Sequence, residues 1–203
     1  EAAAGTDTVV ILNLYERDGD KTFDSSPVID SDGSLLGVTR MTHITDYDCF
    51  FERGYYHPGD NLAPVFQTSA GRIGVAICYD RHYPEYMRSL ALQGAELVVI
   101  PQAGVSDEWP DGMYEGEIRV ASFQNGYFCA MANRVGRENR LNFSGGSVVS
   151  DPWGRIVAQA PFNEEAILYA DVDLEICATS PARKLFLRDR RPEIYEGGAV
   201  RLT

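Results

Sequence analysis

A cysteine at the end of an apolar run is the first candidate for chemistry in this sequence. Cys78 closes the run GVAIC, residues 74–78, and is followed by YDRHYPE, residues 79–85. In α/β proteins, ligands and catalytic groups collect at the carboxyl ends of strands. The N–H of Tyr79 could hold a developing oxyanion there, and a helix N-terminus nearby would lower the pKa of the thiol. The position makes Cys78 a candidate nucleophile, although a buried structural cysteine is the commoner role for a cysteine placed in this way.

Two cationic side chains, Arg81 and His82, follow Cys78 by three and four residues. A guanidinium and an imidazole suit a substrate carboxylate, which arginine can bind through two hydrogen bonds. The alternative is an ion pair of Arg81 with Asp80 or Glu85 at a helix start. A catalytic dyad of Cys78 with His82 is a rival arrangement, and it requires the helix to begin directly after the cysteine.

The elements that must position these residues are mostly hairpins. Strand patterns flank the turn sequences RDGDK, SDG, AG and DPWG, which begin at residues 17, 31, 70 and 151. Helices are predicted from Pro84 to Gly94 and from Met113 to Asn125, and a further strand over AILYADVD, residues 166–173. Hairpins mixed with two crossover helices predict an α/β protein with a mixed sheet, whose central strands GVAIC and ELVVI are buried on both faces.

Composition limits the classes of partner. The chain has 203 residues and a formal net charge of −12, which argues against nucleic-acid and anionic-membrane partners because phosphates would not be neutralised. Its apolar runs are too short to span a bilayer. Its four cysteines form no C-x-x-C pair, which suits free thiols and a cytoplasmic protein. The three histidines do not follow metal-ligand spacings and no nucleotide motif occurs, so no metal and no cofactor are predicted.

One stretch, GRIGVAICYDRHYPE at residues 71–85, resembles the nucleophile motif of the nitrilase superfamily, the carbon–nitrogen hydrolases. Further likenesses follow in family order: the paired hairpins of ERDGDKTFDSSPVIDSDGSLLG, then FFERGYYHPGD, GAELVVIPQAG, ASFQNGYFCAMANRVGRE, FSGGSVVSDPWGRIVAQA and LRDRRPEIY. The resemblance implies a four-layer α-β-β-α sandwich with mixed sheets, as a single domain over residues 1–203 that lacks its first strand–helix segment. It also implies hydrolysis of an amide or N-carbamoyl C–N bond through a cysteine thioester.

Family members use a glutamate, a lysine and a cysteine, together with an accessory glutamate. By resemblance Cys78 is the nucleophile and Glu52, in FFERGYY, is the accessory acid–base, with a solvated loop acid as the alternative for Glu52. Met41, in GVTRMTHITDY, stands where the family has its lysine, and methionine has no donor or charge to offer an oxyanion. The adjacent Arg40 would face the other side of its strand. The opening residues read as the end of a helix, and by resemblance the first glutamate is expected on a strand upstream of Glu1.

The substrate and the assembly also follow from the resemblance. Members that hydrolyse N-carbamoyl amino acids carry cations at the positions of Arg81 and His82, which implies such a substrate here. The competing hypothesis is an impaired homologue that acts as a binding or assembly subunit, because Met41 removes a catalytic charge. A homodimer or larger homo-oligomer is implied, in which the tail, residues 182–203, packs on a partner chain. We expect Cys78, Glu52 and Met41 to share one pocket.

Overall fold

The computed structural model describes residues 1–47, 49–60 and 62–196. Its α-helices are α1 (Ala2–Thr6), α2 (Pro84–Leu92), α3 (Met113–Asn125) and α4 (Pro192–Glu196). Its strands are β1 (Val10–Ile11), β2 (Leu14–Asp18), β3 (Lys21–Ile29), β4 (Leu35–Arg40), β5 (Asp46–Tyr47), β6 (Phe50–Phe51), β7 (Val65–Thr68), β8 (Gly71–Val75), β9 (Leu97–Gln102), β10 (Phe128–Asn133), β11 (Val135–Glu138), β12 (Leu141–Ser144), β13 (Val148–Ser150) and β14 (Ile156–Gln159). Within these ranges no helix is long and apolar enough to cross a membrane.

The first sheet is built around β3. β1 and β2 follow one another along one edge of β3, and β4 pairs with the other edge, all antiparallel. The turn between β2 and β3 contains Gly19, whose φ of 61° is easily adopted only by a residue without a side chain. The predicted hairpins around RDGDK and SDG are both confirmed.

The second sheet is mixed and has six strands in the order β14-β13-β10-β9-β8-β7. β8, β9 and β10 are parallel, and the remaining pairs are antiparallel hairpins or returns. The hairpins predicted around AG and DPWG are β7–β8 and β13–β14. Because β8 and β9 are parallel neighbours, the segments that follow them meet at one edge of the sheet.

The alternation of side chains along β8 buries both of its faces. Val75 and Ile77 pack with Val28 of the first sheet, whereas Ala76 packs on the other side against the helices α2 and α3. Val75, Ala76 and Ile77 are all fully buried. The prediction of a strand buried on both faces is therefore confirmed, and the contacts give three successive layers of helices, second sheet and first sheet. The fourth, outer helical layer stays a prediction.

Local sequence signals set the bounds of the two long helices. Pro84 begins α2, where its missing N–H is not needed, and Gly94 follows its end with a φ of 92°. Gly126 ends α3 in the left-handed conformation, and its N–H donates to the Ser122 carbonyl. Both predicted helices are confirmed to within two residues.

The predicted strand at residues 166–173 is wrong. This segment runs without strand pairing in the described part of the chain, and Ile167 and Tyr169 are 79% and 81% exposed. Its alternation of apolar and polar residues fits a strand, but a strand also needs a neighbouring edge to pair with.

The first turn of the tail packs on its own chain. A π-helical turn at Ala182–Phe186 packs on α3, and Ala182 is fully buried. Arg183 donates to the carbonyls of Ala91, Ala95 and Gly126, at the ends of α2 and α3. These contacts hold the first turn of the tail on its own chain. Packing of the tail on a partner stays a prediction for residues 182–196, and residues 197–203 lie outside the described range.

Candidate active site

Cys78 lies at the carboxyl end of the extended stretch that continues β8. It begins a short 3₁₀ turn, Cys78–His82, and its backbone has a φ of 46°. A residue with a side chain is strained in this left-handed region, and such strain concentrates at functional sites. The turn is held by the N–H of Asp80, which donates to the Ile77 carbonyl, and by Arg81 Nη1, which donates to the Cys78 carbonyl at 3.0 Å.

The Cys78 thiol is not pre-ionised. Burial raises its pKa to about 11, while a hydrogen bond from the Ala103 N–H and the charge of Arg81 act in the opposite direction. The expectation that the helix N-terminus lowers this pKa is therefore wrong, because desolvation outweighs the few amides of a single short turn. At neutral pH the Cys78 side chain is therefore a thiol, and a thiol acts as a nucleophile only when a base takes its proton.

Cys78 and Glu52 line the same cavity, which has a volume of about 690 Å³. Its walls come from the ends of both sheets, from the loop after β6 and from the hairpin of β11 and β12. Its charged lining residues are Asp24, Glu52, Arg134, Glu138 and Arg140. The dimensions are those of a small-molecule site.

Glu52 is a buried acid at the start of a 3₁₀ turn, Glu52–Gly54, and is only 8% exposed. Burial raises its pKa to about 7, and the negative charges of Asp24, Asp46 and Asp80 add to this. The N–H of Thr45 donates to its Oε2 at 3.3 Å. The alternative of a solvated loop acid is excluded, and a carboxyl with this pKa can exchange protons at neutral pH.

A second carboxyl, Asp24 of β3, lines the cavity and was missed by the sequence analysis. Asn13 Nδ2 donates to its Oδ1 at 2.6 Å. Burial raises the pKa of Asp24 to about 6. The hairpin pattern predicts that Asp24 lies in a strand. It does not predict which face of the sheet borders a cavity.

Met41 lies beneath the cavity rather than in its wall. It is fully buried in an apolar cluster with Val28, Val75 and Ile77, and Cys78 packs against that cluster. Arg40 faces the other way, as strand alternation predicts. Its guanidinium binds Glu16 at 2.5 Å and Asp18 at 2.9 Å. The structure therefore brings methionine, not a cation, next to Cys78.

Arg81 and His82 do not face the cavity of Cys78. Both bind Glu117 of α3, with Arg81 Nε 3.1 Å from Oε2 and His82 Nδ1 2.8 Å from Oε1. They line a separate hollow between α2 and α3. The predicted carboxylate grip is thus directed at an internal carboxylate, and the ion-pair partner of Arg81 is neither Asp80 nor Glu85. Because Nδ1 of His82 is engaged by Glu117, the geometry also gives no support to the dyad with Cys78.

Asp80 ties the nucleophile turn to the loop that follows β4. Its fully buried carboxylate accepts hydrogen bonds from the backbone N–H groups of Thr42 and His43 and contacts His43 Nδ1 at 2.7 Å. One segment follows Met41 and the other begins at Cys78. The hydrogen bonds of Asp80 therefore fix the positions of these two residues relative to each other. This role of Asp80 was not predicted, because the sequence pattern suggested only an ion pair with Arg81.

Gln102, the last residue of β9, lines the cavity with an unsatisfied amide. The residue is 7% exposed, and within the described residues neither Nε2 nor Oε1 has a hydrogen-bond partner. Leaving such a group unpaired costs about 1–3 kcal/mol, so it points to a ligand that completes it. In the same described part of the chain, no group of three or more His, Cys, Asp or Glu is arranged to hold a metal ion.

Comparison with known proteins agrees with this geometry. The N-carbamoylputrescine amidase of Arabidopsis thaliana is 33% identical over 201 residues, which are 93% of this chain and 67% of that protein. The crystal structure of a carbon–nitrogen hydrolase from Helicobacter pylori superposes with a TM-score of 0.88 at 34% identity, covering 95% of this chain and 71% of that one. A mutant amidase from Nesterenkonia sp. AN1 superposes with a TM-score of 0.81 at 26% identity, over 95% of this chain and 68% of that one. Its structure is described as showing covalent addition at the active-site cysteine.

The match to the family itself is extensive. Residues 1–182 match the carbon–nitrogen hydrolase family, which is about nine-tenths of the chain. The mixed α/β fold and the cavity with its cysteine are those expected from the sequence motifs. The chain therefore belongs to the carbon–nitrogen hydrolases of the nitrilase superfamily.

Proposed function

We propose that this protein hydrolyses the C–N bond of a small N-carbamoyl amino acid through a covalent thioester on Cys78. The observation that carries the proposal is the shared cavity, in which a strained cysteine and a buried glutamate with a pKa of about 7 meet. Relatives named as N-carbamoylputrescine amidase, citrullinase and beta-ureidopropionase support the carbamoyl class.

The chemistry follows from the protonation states. A carboxylate, Glu52 in its ionised form, takes the proton of the Cys78 thiol as sulfur attacks the carbamoyl carbon. The N–H of Tyr79 is proposed to donate to the resulting oxyanion. The C–N bond then breaks, and the proton passes from the carboxyl to the leaving amine. Water, deprotonated by the same carboxylate, attacks the thioester, restores the thiol and releases carbamic acid, which decomposes to ammonia and carbon dioxide.

The walls of the cavity support this substrate class. The Nε2 and Oε1 atoms of Gln102 have no hydrogen-bond partner among the described residues. A carbamoyl group could supply both partners, because it carries N–H donors and a carbonyl acceptor. Arg134 and Arg140 lie in the wall formed by the β11–β12 hairpin and offer guanidinium groups to a substrate carboxylate, the role that Arg81 and His82 do not fill. Arg134 already forms an ion pair with Glu138, with 2.9 Å between Nη1 and Oε2. Arg140 is therefore the proposed main contact for the substrate carboxylate.

The test is direct measurement of hydrolysis. The protein, expressed from its complete gene, is incubated with N-carbamoyl-β-alanine and with N-carbamoylputrescine, and ammonia release is followed. We expect turnover, with the carboxylate-bearing substrate favoured, and a carbamoyl adduct on Cys78 in rapidly quenched samples. Absence of both turnover and adduct would overturn the proposal.

A second candidate function is favoured by one observation. Met41 occupies the family's lysine position and is fully buried in an apolar cluster. The site therefore lacks the positive charge that the lysine would supply. Under this hypothesis the chain is an inactive binding or assembly subunit. Such a subunit would bind N-carbamoyl compounds, as measured by calorimetry, but would not release ammonia from them. The ammonia assay described above therefore separates binding from catalysis.

Replacing Glu52 with glutamine removes the proton acceptor but keeps its volume. We expect the Glu52→Gln protein to lose about 100- to 10,000-fold in kcat/KM, the usual contribution of a general acid–base. In the unchanged protein, activity should rise as the pH increases through about 7, because the ionised carboxylate is the base. A Glu165→Gln variant, at an exposed position outside the cavity lining, serves as the control. A Glu52→Gln protein of ordinary activity would remove Glu52 from the mechanism.

Assembly is proposed to involve the chain beyond the first turn of the tail. Leu185, Ile194 and Tyr195 are each about half exposed, and α3 presents Met113 and Val120 on its surface. These apolar groups suit contact with a second copy. Light scattering at micromolar concentration should give a homodimer or a larger oligomer. A uniform monomer would count against the proposal.

A further inference from the structure

Two carboxyls, not one, lie in the cavity of the nucleophile. Asp24 and Glu52 both line it together with Cys78, although they come from different parts of the fold, one from β3 and the other from the turn after β6. The backbone carbonyl of Asp24 accepts the N–H of Met41 at 2.9 Å, so Asp24 is the cross-strand neighbour of that methionine. The acid therefore stands beside the position from which a lysine is missing.

The arginines closest in sequence to Met41 and Cys78 are engaged by other acids, and the arginines of the cavity wall, Arg134 and Arg140, come from the β11–β12 hairpin. Arg40 is held by Glu16 and Asp18, and Arg81 pairs with Glu117. The Asp24 carboxyl accepts instead from a neutral amide, Asn13 Nδ2 at 2.6 Å. Two carboxyls in one buried cavity without a lysine cannot both ionise freely, since like charges disfavour each other. In agreement, burial raises the pKa values of Asp24 to about 6 and of Glu52 to about 7, and the charge of Asp24 raises that of Glu52 further.

We propose that Asp24 is a catalytic acid–base residue that shares one proton with Glu52, and that this carboxyl pair replaces the missing lysine. The inference rests on the proposed function of the same cavity. The ionised member of the pair accepts the Cys78 proton, and the protonated member donates a hydrogen bond to the substrate oxygen as it becomes an oxyanion. A neutral carboxylic acid can serve as such a donor in an apolar site.

The proton count closes over one cycle. The pair begins with one proton and holds two after it takes the thiol proton, while the C–S bond forms. It returns to one when the leaving amine takes a proton and the C–N bond breaks. Water then gives a proton to the pair, its oxygen attacks the thioester carbon, and the C–S bond breaks as the proton returns to sulfur. No oxidant, metal or further reactant is required.

Other charged and titratable groups surround this pair. Arg134, Glu138 and Arg140 line the same cavity from the β11–β12 hairpin. Asp46 and Asp80 raise the pKa of Glu52, and Asp80 raises that of Asp24. Tyr55 and Tyr56, from the turn after β6, line the cavity with their pKa values raised by burial, so they stay neutral at pH 7. Cys78 stays a thiol for the same reason. The carboxyl pair is therefore the group that titrates near neutral pH in this cavity.

The test uses Asp24→Asn, which keeps the side-chain shape and an oxygen that can still accept from Asn13. Asp32→Asn, in the exposed turn between β3 and β4, is the matched control. Two rates are measured for each protein expressed from its complete gene: kcat/KM for N-carbamoyl-β-alanine, and the alkylation of Cys78 by iodoacetamide, followed by peptide mass spectrometry.

The two rates are expected to move in opposite directions. Loss of the acid–base group should lower kcat/KM by about 100-fold or more. Loss of its negative charge should favour the thiolate and speed alkylation by up to about tenfold, which corresponds to one pKa unit. The acidic limb of the pH–rate profile should move to lower pH, because Glu52 no longer has a like charge beside it. A merely structural role would slow both reactions together or leave both unchanged.

The outcomes separate this inference from the proposed function. If Asp24→Asn hydrolyses the substrate at the rate of Asp32→Asn with the same pH profile, the carboxyl pair is overturned while the function stands. If hydrolysis and alkylation fall together, Asp24 is a structural residue and the inference is again overturned. If the unchanged protein neither turns over nor forms an adduct, the proposed function fails and the inference fails with it.

Discussion

Hydrolysis of N-carbamoyl-β-alanine should fall by at least about 10,000-fold when Cys78 is replaced by alanine, because covalent chemistry then has no nucleophile. The cavity keeps its carboxyls and its other walls, so substrate should still bind. Isothermal calorimetry with the Cys78→Ala protein should give a dissociation constant within a few-fold of the KM of the unchanged protein, if chemistry is slow relative to substrate release.

The control for this experiment is another cysteine. Cys177 is buried away from the cavity, and its Sγ donates to the Glu96 carbonyl at 3.4 Å, a bond that serine can keep. Cys177→Ser should retain turnover and the carbamoyl adduct. Residual hydrolysis above background in folded Cys78→Ala protein would show that the reaction proceeds by direct attack of water, without a thioester.

Introducing the family's lysine, as Met41→Lys, should raise hydrolysis on the order of 100-fold, the usual value of one oxyanion donor. The new ammonium would lie against Cys78, favour its thiolate and donate to the oxyanion. Asp24 and Glu52 would offset the burial of the charge. The measurement is kcat/KM for N-carbamoyl-β-alanine with the complete gene product.

Met41→Leu is the matched control, since it keeps an apolar side chain of similar volume and should change little. In the Met41→Lys background, Asp24→Asn should cost less activity than it does alone, because the ammonium takes over part of the donor role. If Met41 is only a core residue, the lysine would destabilise the fold by a few kcal/mol and give no gain. A folded Met41→Lys protein with unchanged kcat/KM would rule out this account of the site.

Much of the fold was predictable because turns carry their own chemistry. Gly19, Gly33 and Gly154 all have positive φ at hairpin turns that the sequence identified. Pro84 and Gly126 likewise marked helix ends. The segment at 166–173 failed because alternation describes one strand, whereas pairing depends on a neighbouring edge that the segment's own residues do not reveal.

The residues of the candidate site were predictable where a sequence motif contains them. They were not predictable where their role depends on contacts between distant residues or on burial. Cys78 and Glu52 were identified by resemblance, and the structure places them in one cavity. The pKa of Cys78 was misjudged because proximity to a helix can be read from sequence, but desolvation cannot. Arg81 was misassigned because its partner, Glu117, is 36 residues away on α3. Asp24 was missed because a lone aspartate in a strand shows its importance only when the cavity is known.

The buried carboxylate of Asp80 has a consequence for how the cavity can open. It joins the turn of the second sheet that carries Cys78 to the loop of the first sheet that carries Met41, through the amides of Thr42 and His43. Separating the two segments would leave the buried Asp80 carboxylate without these hydrogen bonds, which is energetically costly. Neither segment can therefore unfold locally without the other. Transient opening of the site must therefore involve both sheets at once. Amide hydrogen exchange at Thr42 and His43 would report the same opening event as exchange in the nucleophile turn, although more than thirty residues separate them in the chain.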